Sequence, residues 1–138
     1  MREQYIQEVF PHPWQHLASC VLVDKARGAN AIGIAARVFE RWPTAEAMSE
    51  ADPGQLAHMI RPLGQQNRRA RTMVSLAIAW RAVGEEILRG RRDVRDLPGI
   101  GHYGRESWRV FQLEDYSFEP EDRPLARYVA ERRRDPRT

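Results

Sequence analysis

The 138-residue chain has the length of one compact domain, and 42% of its residues are hydrophobic while 30% are charged. No apolar run approaches the roughly 20 residues needed to cross a bilayer and no signal peptide is visible, so we expect neither a membrane partner nor secretion. The single Cys20 excludes an internal disulfide, a four-thiolate iron–sulfur cluster and a four-cysteine zinc site. We expect it to be a small core residue in a reducing compartment, the cytoplasm.

Positive charge is unevenly distributed along the chain. The net charge is only +3, yet no acidic residue lies between Asp52 and Glu85. That window contains five arginines: Arg61, Arg68, Arg69, Arg71 and Arg81. A second basic cluster occupies the C-terminal segment. A surface built from these residues is positive and favours phosphate as a partner, although arginines also commonly solvate helix faces.

Helical periodicity begins near the N-terminus. Apolar residues at helical spacing predict a short helix over residues 3–10, which two prolines then stop. Pro13 starts a second helix over residues 13–23 that is apolar on most sides and therefore a core element. A third helix is predicted over residues 28–42, ending before Pro43.

The middle of the chain predicts two more helices. Asp52 is a candidate N-cap with Pro53 at the first helical position, and this helix ends near residues 62–64. Residues 67–83 form the best amphipathic pattern, with one apolar face made of Met73, Leu76, Ala77, Trp80 and Val83. Arginines at the start of this helix interact unfavourably with the helix dipole. A bound anion such as phosphate would compensate this cost.

After a basic linker over residues 89–96, a helix is predicted over residues 104–112. A last helix is expected to start near Pro120, with Leu125, Tyr128 and Val129 facing inward. No alternating strand pattern of useful length is present. The sequence therefore predicts an all-α fold.

The segment LPGIG, residues 97–101, is a tight turn between two of these helices. Gly99 and Gly101 can adopt backbone angles that a Cβ would forbid, and Ile100 can plug the turn into the core. The amides of Gly101, His102 and Tyr103 then face outward at the start of a helix, where the dipole favours an anion. We expect them to hold one backbone phosphate; a plain glycine turn between helices is the alternative.

Several ordered blocks, taken together with this turn, resemble the helix-hairpin-helix (HhH-GPD) DNA glycosylase superfamily. Within it, the chain is most similar to the thymine/uracil glycosylase catalytic domains associated with a methyl-CpG-binding domain. The blocks are IQEVFPHPWQHLASCVLVDKARGANAI, FERWPTAEAMSEAD, IRPLGQQNRRAR, LPGIGHYGRESWRVF and PEDRPLARY. The resemblance implies one domain over residues 1–138 with a basic tail at about 130–138, and helices in two packed lobes around a DNA cleft.

The resemblance places the catalytic carboxylate at Asp122 of the PED segment. Cleavage of an N-glycosidic bond develops positive charge on the sugar, and a nearby carboxylate can stabilise that cation or activate water on the opposite face. Without the resemblance, an Asp before Arg-Pro-Leu is more typical of an N-cap.

Tyr103 occupies the position where strand-cutting relatives carry a lysine nucleophile. A tyrosine cannot form an imine, and Lys25, the only lysine of the chain, aligns with a DNA-inserting residue instead. The resemblance therefore implies a monofunctional enzyme without lyase activity, in which Tyr103 contacts the extruded base. Gln7 matches a residue that lines the base pocket.

A flipped base leaves a gap in the duplex that the protein must fill. The resemblance implies that Lys25 is the filler and that the loop Leu63, Gly64 and Gln65 approaches the orphaned base. Arg68 and Arg69, at the basic start of the predicted 67–83 helix, are expected to contact DNA phosphates. A solvated lysine and a helix-terminating loop are the alternatives. The chain departs from the family pattern at Asp24, Lys25, Gln65 and Pro124, which leaves mismatch-specific thymine activity open.

The expected partner is double-stranded DNA, bound by a monomer. No metal or cofactor is required for the hydrolysis, although the family suggests a monovalent cation at the hairpin carbonyls. Two other functions stay open at this point. One is a phage enzyme of the same fold that modifies a thymine-derived base, and the other is a non-catalytic DNA-binding module that has no use for Asp122.

Overall fold

The computed structural model describes residues 5–23 and 30–135, and these residues form helices and connecting loops without any β-strand. The all-α prediction is confirmed. The eight α-helices of the described part are α1 (Ile6–Val9), α2 (Pro13–Val23), α3 (Ala31–Arg41), α4 (Ala45–Ser49), α5 (Pro53–Ile60), α6 (Gln66–Leu88), α7 (His102–Phe111) and α8 (Arg123–Arg134). Short 3-10 helices occupy Arg61–Leu63 and Val94–Asp96. No described helix is long and apolar enough to cross a membrane.

The long helix α6 is the centre of the fold and packs against α2, α4 and α5. Its inner face contains Met73, Leu76 and Ala77, all fully buried, with Trp80 partly buried beside them. The sequence pattern predicted this face but ended the helix at residue 83. The helix continues to Leu88, and its buried face continues with Gly84 and Ile87.

Two hydrophobic clusters organise the described residues. The larger cluster contains the apolar faces of α2 to α6 together with Ile100 and Trp108 from the C-terminal half. The smaller one consists of Tyr5, Val110, Tyr128 and Val129, with Phe111, Tyr116 and Phe118 packed around it. The inward positions Leu125, Tyr128 and Val129 predicted for the last helix are confirmed. So is the burial of Cys20.

Several helix boundaries differ from the sequence predictions. Helix α4 was missed because its five residues are too few for a periodic pattern, although Thr44 caps it by accepting from the Ala47 amide. Asp52 stands at the N-cap position of α5, but its side chain makes no capping hydrogen bond. Helix α8 begins at Arg123 and runs to Arg134, so residues 130–134 are helical and not a tail.

Candidate active site

The glycine turn is packed into the protein on its inner side. Gly99 has a φ of +77°, and a Cβ there would collide with the Thr72 side chain of α6 and lie 3.3 Å from a methyl group of Val21 on α2. Ile100 is buried, and a Cβ on Gly104 would lie 2.9 Å from its side chain. The predicted plugging of Ile100 into the core is therefore confirmed. Glycine is needed at position 99 both for its backbone angle and for this close approach.

The outer side of the turn is open. Gly101 is exposed and occupies the N-cap position of α7, where no side chain caps the helix and no atom lies within 4 Å of a Cβ built there. His102, the first residue of α7, is also exposed. An uncapped helix start with room around it is a suitable place for a phosphate oxygen. Ile100 must be removed from the expected DNA contacts, because its side chain is buried and its amide donates to the Leu97 carbonyl at 3.2 Å.

The structure brings together the two residues expected to line the base pocket. The Gln7 amide Nε2 on α1 donates to the Tyr103 hydroxyl on α7 at 2.7 Å and to the Ser107 hydroxyl at 3.1 Å. Gln7 is only 3% exposed, whereas Tyr103 is partly accessible. The two side chains therefore form one polar surface, fixed between the first helix and the helix that follows the turn.

The buried His16 and the partly exposed Gln112 extend this polar cluster beyond Ser107, and sequence reasoning missed both. The His16 ring lies 2.7 Å from the Ser107 hydroxyl through Nε2 and 2.8 Å from Gln112 Nε2 through Nδ1. His16 has no exposed surface, and its burial lowers the pKa of the imidazole from 6.5 to about 4. The ring is therefore neutral near neutral pH. The sequence offered one indication of a buried polar contact, namely that His16 stands inside the apolar segment that forms α2.

Asp122 is the N-cap of α8. Its Oδ2 accepts a hydrogen bond from the Leu125 amide at 3.0 Å, while its Oδ1 accepts none from the described residues. The side chain is partly exposed. The N-cap interpretation of the sequence is thus correct, and it leaves one carboxylate oxygen available to a ligand. The cap also fixes the rotamer of the side chain, because the bond to Leu125 holds the other oxygen.

Hydrogen bonds of two residues, Glu106 and Tyr5, hold the segment around Asp122 against α7 and the start of α1. Both carboxylate oxygens of Glu106 on α7, itself buried, accept from the Glu121 amide at 3.1 Å. The Tyr5 hydroxyl donates to the Pro124 carbonyl at 3.0 Å. The carboxylate is therefore anchored on both sides to the same part of the fold as the Gln7–Tyr103 pair.

The return loop between α7 and α8 is ordered by Asp115. Its carboxylate accepts from the hydroxyl and amide of Ser117 and from the Arg109 guanidinium, and these bonds lower its pKa to about 2. Arg109 also stacks over the Phe118 ring at 3.7 Å. The loop leading to Asp122 is thus held by charge and aromatic contact.

The loop expected to approach the orphaned base, Leu63 to Gln65, faces solvent only in part. Leu63 is 3% exposed and packs in the main core, so its side chain is not a DNA contact. Gly64 and Gln65 are exposed, with φ values of +83° and +48°. A glutamine in the left-handed region is uncommon and marks a loop held in a defined shape by its surroundings. The exposed Arg68 lies 3.4 Å from the Gln65 side chain.

Arg69 was expected to contact DNA, and the structure contradicts this. Its guanidinium is buried and donates to the Gly64 carbonyl at 2.9 Å and to the Val21 carbonyl at 2.6 Å. These carbonyls belong to the turn before α6 and to the last turn of α2, where the helix has no further amides to bond them. Arg69 therefore joins two segments of the protein. The other arginines of the acid-free window are exposed: Arg61, Arg68, Arg71 and Arg81.

Lys25, expected to fill the gap left by a flipped base, lies outside the described residues, as does Asp24. Among the residues that the structure describes, no group of three His, Cys, Asp or Glu side chains is arranged to hold a metal ion.

A comparison with protein families matches the part of the chain that contains both the glycine turn and Asp122. A family model for HhH-GPD superfamily base excision DNA repair proteins matches residues 18–132. The chain belongs to this superfamily. The membership accounts for the order of the matched elements, with the glycine turn followed by α7 and then by the helix that carries Asp122.

Two curated members of the superfamily are similar to this chain. A thymine-DNA glycosylase of Aeropyrum pernix is 28% identical over 92 residues, which cover 66% of this chain and 41% of the relative. A methyl-CpG-binding domain protein 4-like protein of Arabidopsis thaliana is 26% identical over 99 residues, which cover 72% of this chain and 21% of the relative. The chain therefore spans less than half the length of either relative.

Two solved structures of endonuclease III–DNA complexes share the fold. One is a trapped covalent intermediate with an estranged adenine, with a TM-score of 0.60 and 23% identity over 77% of this chain and 53% of the other. The second is a non-covalent complex, with a TM-score of 0.65 and 21% identity over 89% of this chain and 62% of the other. These similarities establish the helix-hairpin-helix glycosylase fold.

Proposed function

We propose that this protein is a monofunctional DNA glycosylase that flips a thymine, a uracil or a damaged pyrimidine out of duplex DNA and hydrolyses its N-glycosidic bond. The observation that carries the proposal is the Asp122 carboxylate, with one oxygen fixed by the α8 amide and the other open. It stands on a segment anchored by Glu106 to α7, the helix of Tyr103. Membership of the base excision repair superfamily supports the same reaction class.

The chemistry requires only this carboxylate and water. As the bond between the sugar and the base breaks, the electron pair leaves with the base and positive charge develops on the sugar. The fixed negative charge of Asp122 stabilises that cation without reorganisation. Water then adds to the sugar carbon and loses its proton, and the base is protonated as it leaves.

Tyr103 supports the absence of a lyase step. Its phenol cannot form an imine with the opened sugar, and its hydroxyl already accepts a hydrogen bond from Gln7 at 2.7 Å. We assign both residues to the pocket that receives the base. Lys25, as the only lysine, keeps its proposed role in filling the duplex gap.

We propose that a monomer binds double-stranded DNA in the cytoplasm. The open amides at Gly101 and His102 would hold one phosphate, and the exposed arginines around α6 would hold others. The reaction needs no cofactor. The carbonyls of Pro98, Gly99 and Ile100 accept no backbone hydrogen bond from the described residues and are suitable ligands for a monovalent cation.

Duplexes carrying one uracil or one thymine opposite guanine, incubated with the protein and then treated with alkali, test this function. We expect strand cleavage only after alkali, its loss in Asp122→Asn, and no covalent complex on borohydride treatment. A change in base mass without cleavage would instead indicate a base-modifying enzyme. DNA binding with neither result would indicate a non-catalytic module, and strand cleavage without alkali would contradict the monofunctional assignment.

A further inference from the structure

A surface pocket of about 700 Å³ lies between helices α3 and α5, which pack against each other. Its charged and apolar lining consists of Arg37, Arg41, Trp42, Asp52, His58 and Met59. None of the residues proposed for the chemistry lines it. The volume is in the range of concave sites that receive a ligand, about 300–1,000 Å³. We call this site the α3–α5 pocket.

The two arginines of the α3–α5 pocket have no charged partner within the described part of the chain. Arg37 and Arg41 form no ion pair there, although the Asp52 carboxylate lines the same pocket. Other exposed arginines of the fold do pair, since Arg89 and Arg105 lie 2.7 and 3.3 Å from a carboxylate oxygen. The guanidinium groups of the pocket are therefore available to a ligand.

Arg41 is held at the pocket by an aromatic ring. Its guanidinium carbon lies 5.1 Å from the centre of the Trp42 ring, which is within cation–π distance. Trp42 is buried and belongs to the main core, so this ring is a fixed support. Arg37 stands one helical turn earlier on the same face of α3. The pocket thus presents two neighbouring positive groups, one of them ordered before a ligand binds.

The lining of the α3–α5 pocket favours a negatively charged ligand. Two guanidinium groups and the exposed imidazole of His58 stand against one carboxylate, that of Asp52. The first amides of α5 add to this preference, because the Asp52 side chain does not cap them and they have no acceptor within the helix. Guanidinium groups pair with carboxylates in a planar, two-bond geometry. An acidic side chain therefore fits between the end of α3 and the start of α5.

The apolar part of the lining favours a protein segment over a nucleic acid. Trp42 and the partly exposed Met59 lie between the charged groups, together with the aliphatic stem of Arg41. A peptide can place a leucine or a phenylalanine on such a surface, whereas a sugar–phosphate backbone has no apolar group to fill a concave site. The Asp52 carboxylate would also repel a phosphate.

The place of the pocket in the fold leaves the expected DNA contacts free. Lys25 precedes α3 and Gly64 follows α5, and both are expected to meet the duplex. The pocket instead contains the end of α3 and the beginning of α5, which are the opposite ends of the two helices. A partner bound there does not compete with DNA for the same residues.

We propose that the α3–α5 pocket is the docking site of a protein partner that presents an acidic side chain next to an apolar one in an exposed segment. The carboxylate pairs with Arg37 and Arg41, while the apolar side chain packs on Met59. Docking takes place with DNA bound as well as without it. This inference goes beyond the proposed function, and its test requires no base excision.

Selection of short random peptides displayed on phage tests the proposal without a known partner. The immobilised protein is saturated with an undamaged duplex, so that the arginines that meet DNA are occupied. We expect the enriched peptides to carry an aspartate or glutamate beside an apolar residue. Their affinity for the double variant Arg37→Glu, Arg41→Glu should be at least about tenfold lower, because both attractive pairs become repulsive. Arg37→Glu alone keeps the Arg41–Trp42 contact and should weaken binding at least about threefold.

The matched control is the double variant Arg92→Glu, Arg134→Glu. Both arginines are exposed and lie outside the pocket, and the change in net charge is the same. This control should leave the affinity for the selected peptides within about twofold, because salt screens distant surface charges. Thermal unfolding shows that each variant is folded before its affinity is compared.

Three results would overturn the proposal. The first is a selection without enrichment of acidic peptides, and the second is equal binding of the selected peptides to the unsubstituted protein and to the pocket double variant. The third is a loss of duplex affinity in the pocket double variant that the control does not show, since the pocket would then belong to the DNA-binding surface. If the protein excises no base, the proposed function fails, but the peptide result still decides this inference.

Discussion

Protonation of His16 should make folding stability depend on pH between about 4 and 6.5. The imidazole has a pKa of about 4 in the folded protein and 6.5 in its ordinary state, because burial disfavours the charged ring. The neutral ring is stabilised by folding, so this contribution is complete above 6.5 and is lost as the pH falls from 6.5 towards 4. Below about 4 both states bind the proton and no further loss occurs.

The size of the loss follows from these two pKa values. Since the unfolded chain binds the proton more tightly, the free energy of unfolding should fall by about 2 kcal/mol between roughly pH 7 and pH 5. The total at pH 4 is on the order of 3 kcal/mol. Asp115, whose pKa is lowered to about 2, loses its contribution only below its ordinary 3.8 and does not overlap this window.

Urea unfolding of the unsubstituted protein and of His16→Leu over this range measures the effect. The variant lacks the buried base, so its curve should be flatter by about 2 kcal/mol even if its stability at neutral pH is lower. Comparing the slopes removes the contribution of all other titrating groups. Parallel loss of stability in the two proteins would refute the assignment of His16 as a buried neutral imidazole.

Three further substitutions have matched controls. Gly99→Ala should cost about 2–4 kcal/mol in urea unfolding because of its positive φ and crowded Cβ, whereas Gly101→Ala, with open space around it, should cost under about 1 kcal/mol. Arg69→Ala should lower stability by about 2–3 kcal/mol, while Arg68→Ala should leave it within about 0.5 kcal/mol. Arg68→Ala should also weaken binding to an abasic duplex, measured by titration. Glu106→Ala should slow single-turnover excision about tenfold at unchanged DNA affinity, and Glu106→Gln, which keeps an acceptor, should recover most of the rate. If the two variants of a pair had equal effects on the measured quantity, the role assigned to Gly99, Arg69 or the Glu106 carboxylate would be wrong.

The sequence predicted the helices best where burial is periodic. The inner face of α6 and the inward residues of α8 follow directly from apolar spacing, because a helix must bury one stripe. Helix α4 was missed because five residues are too few to show a period. The end of α6 was placed too early at residue 83, although Ile87 continues the buried face of the helix. The crowding between Gly84 and the Trp80 ring is visible only in three dimensions.

The resemblance placed Gln7 and Tyr103 in one pocket, and the structure brings the two side chains into contact, although their roles toward a base stay predictions. Charge alone was a weaker guide. Arg69 could not be distinguished from Arg68 by composition, because only the carbonyls left at the end of α2 show which guanidinium is buried. The role of His16 could not be predicted either, because its partners Ser107 and Gln112 lie more than 90 residues away in the sequence.

The most direct test of the account is the single-turnover rate of uracil excision by Asp122→Asn, measured beside its unfolding free energy. Asparagine and aspartate are equally good N-caps, so stability should stay within about 0.5 kcal/mol while the rate falls at least about 100-fold. An equally stable variant that excises uracil at the unsubstituted rate would show that this carboxylate only caps α8 and takes no part in the reaction.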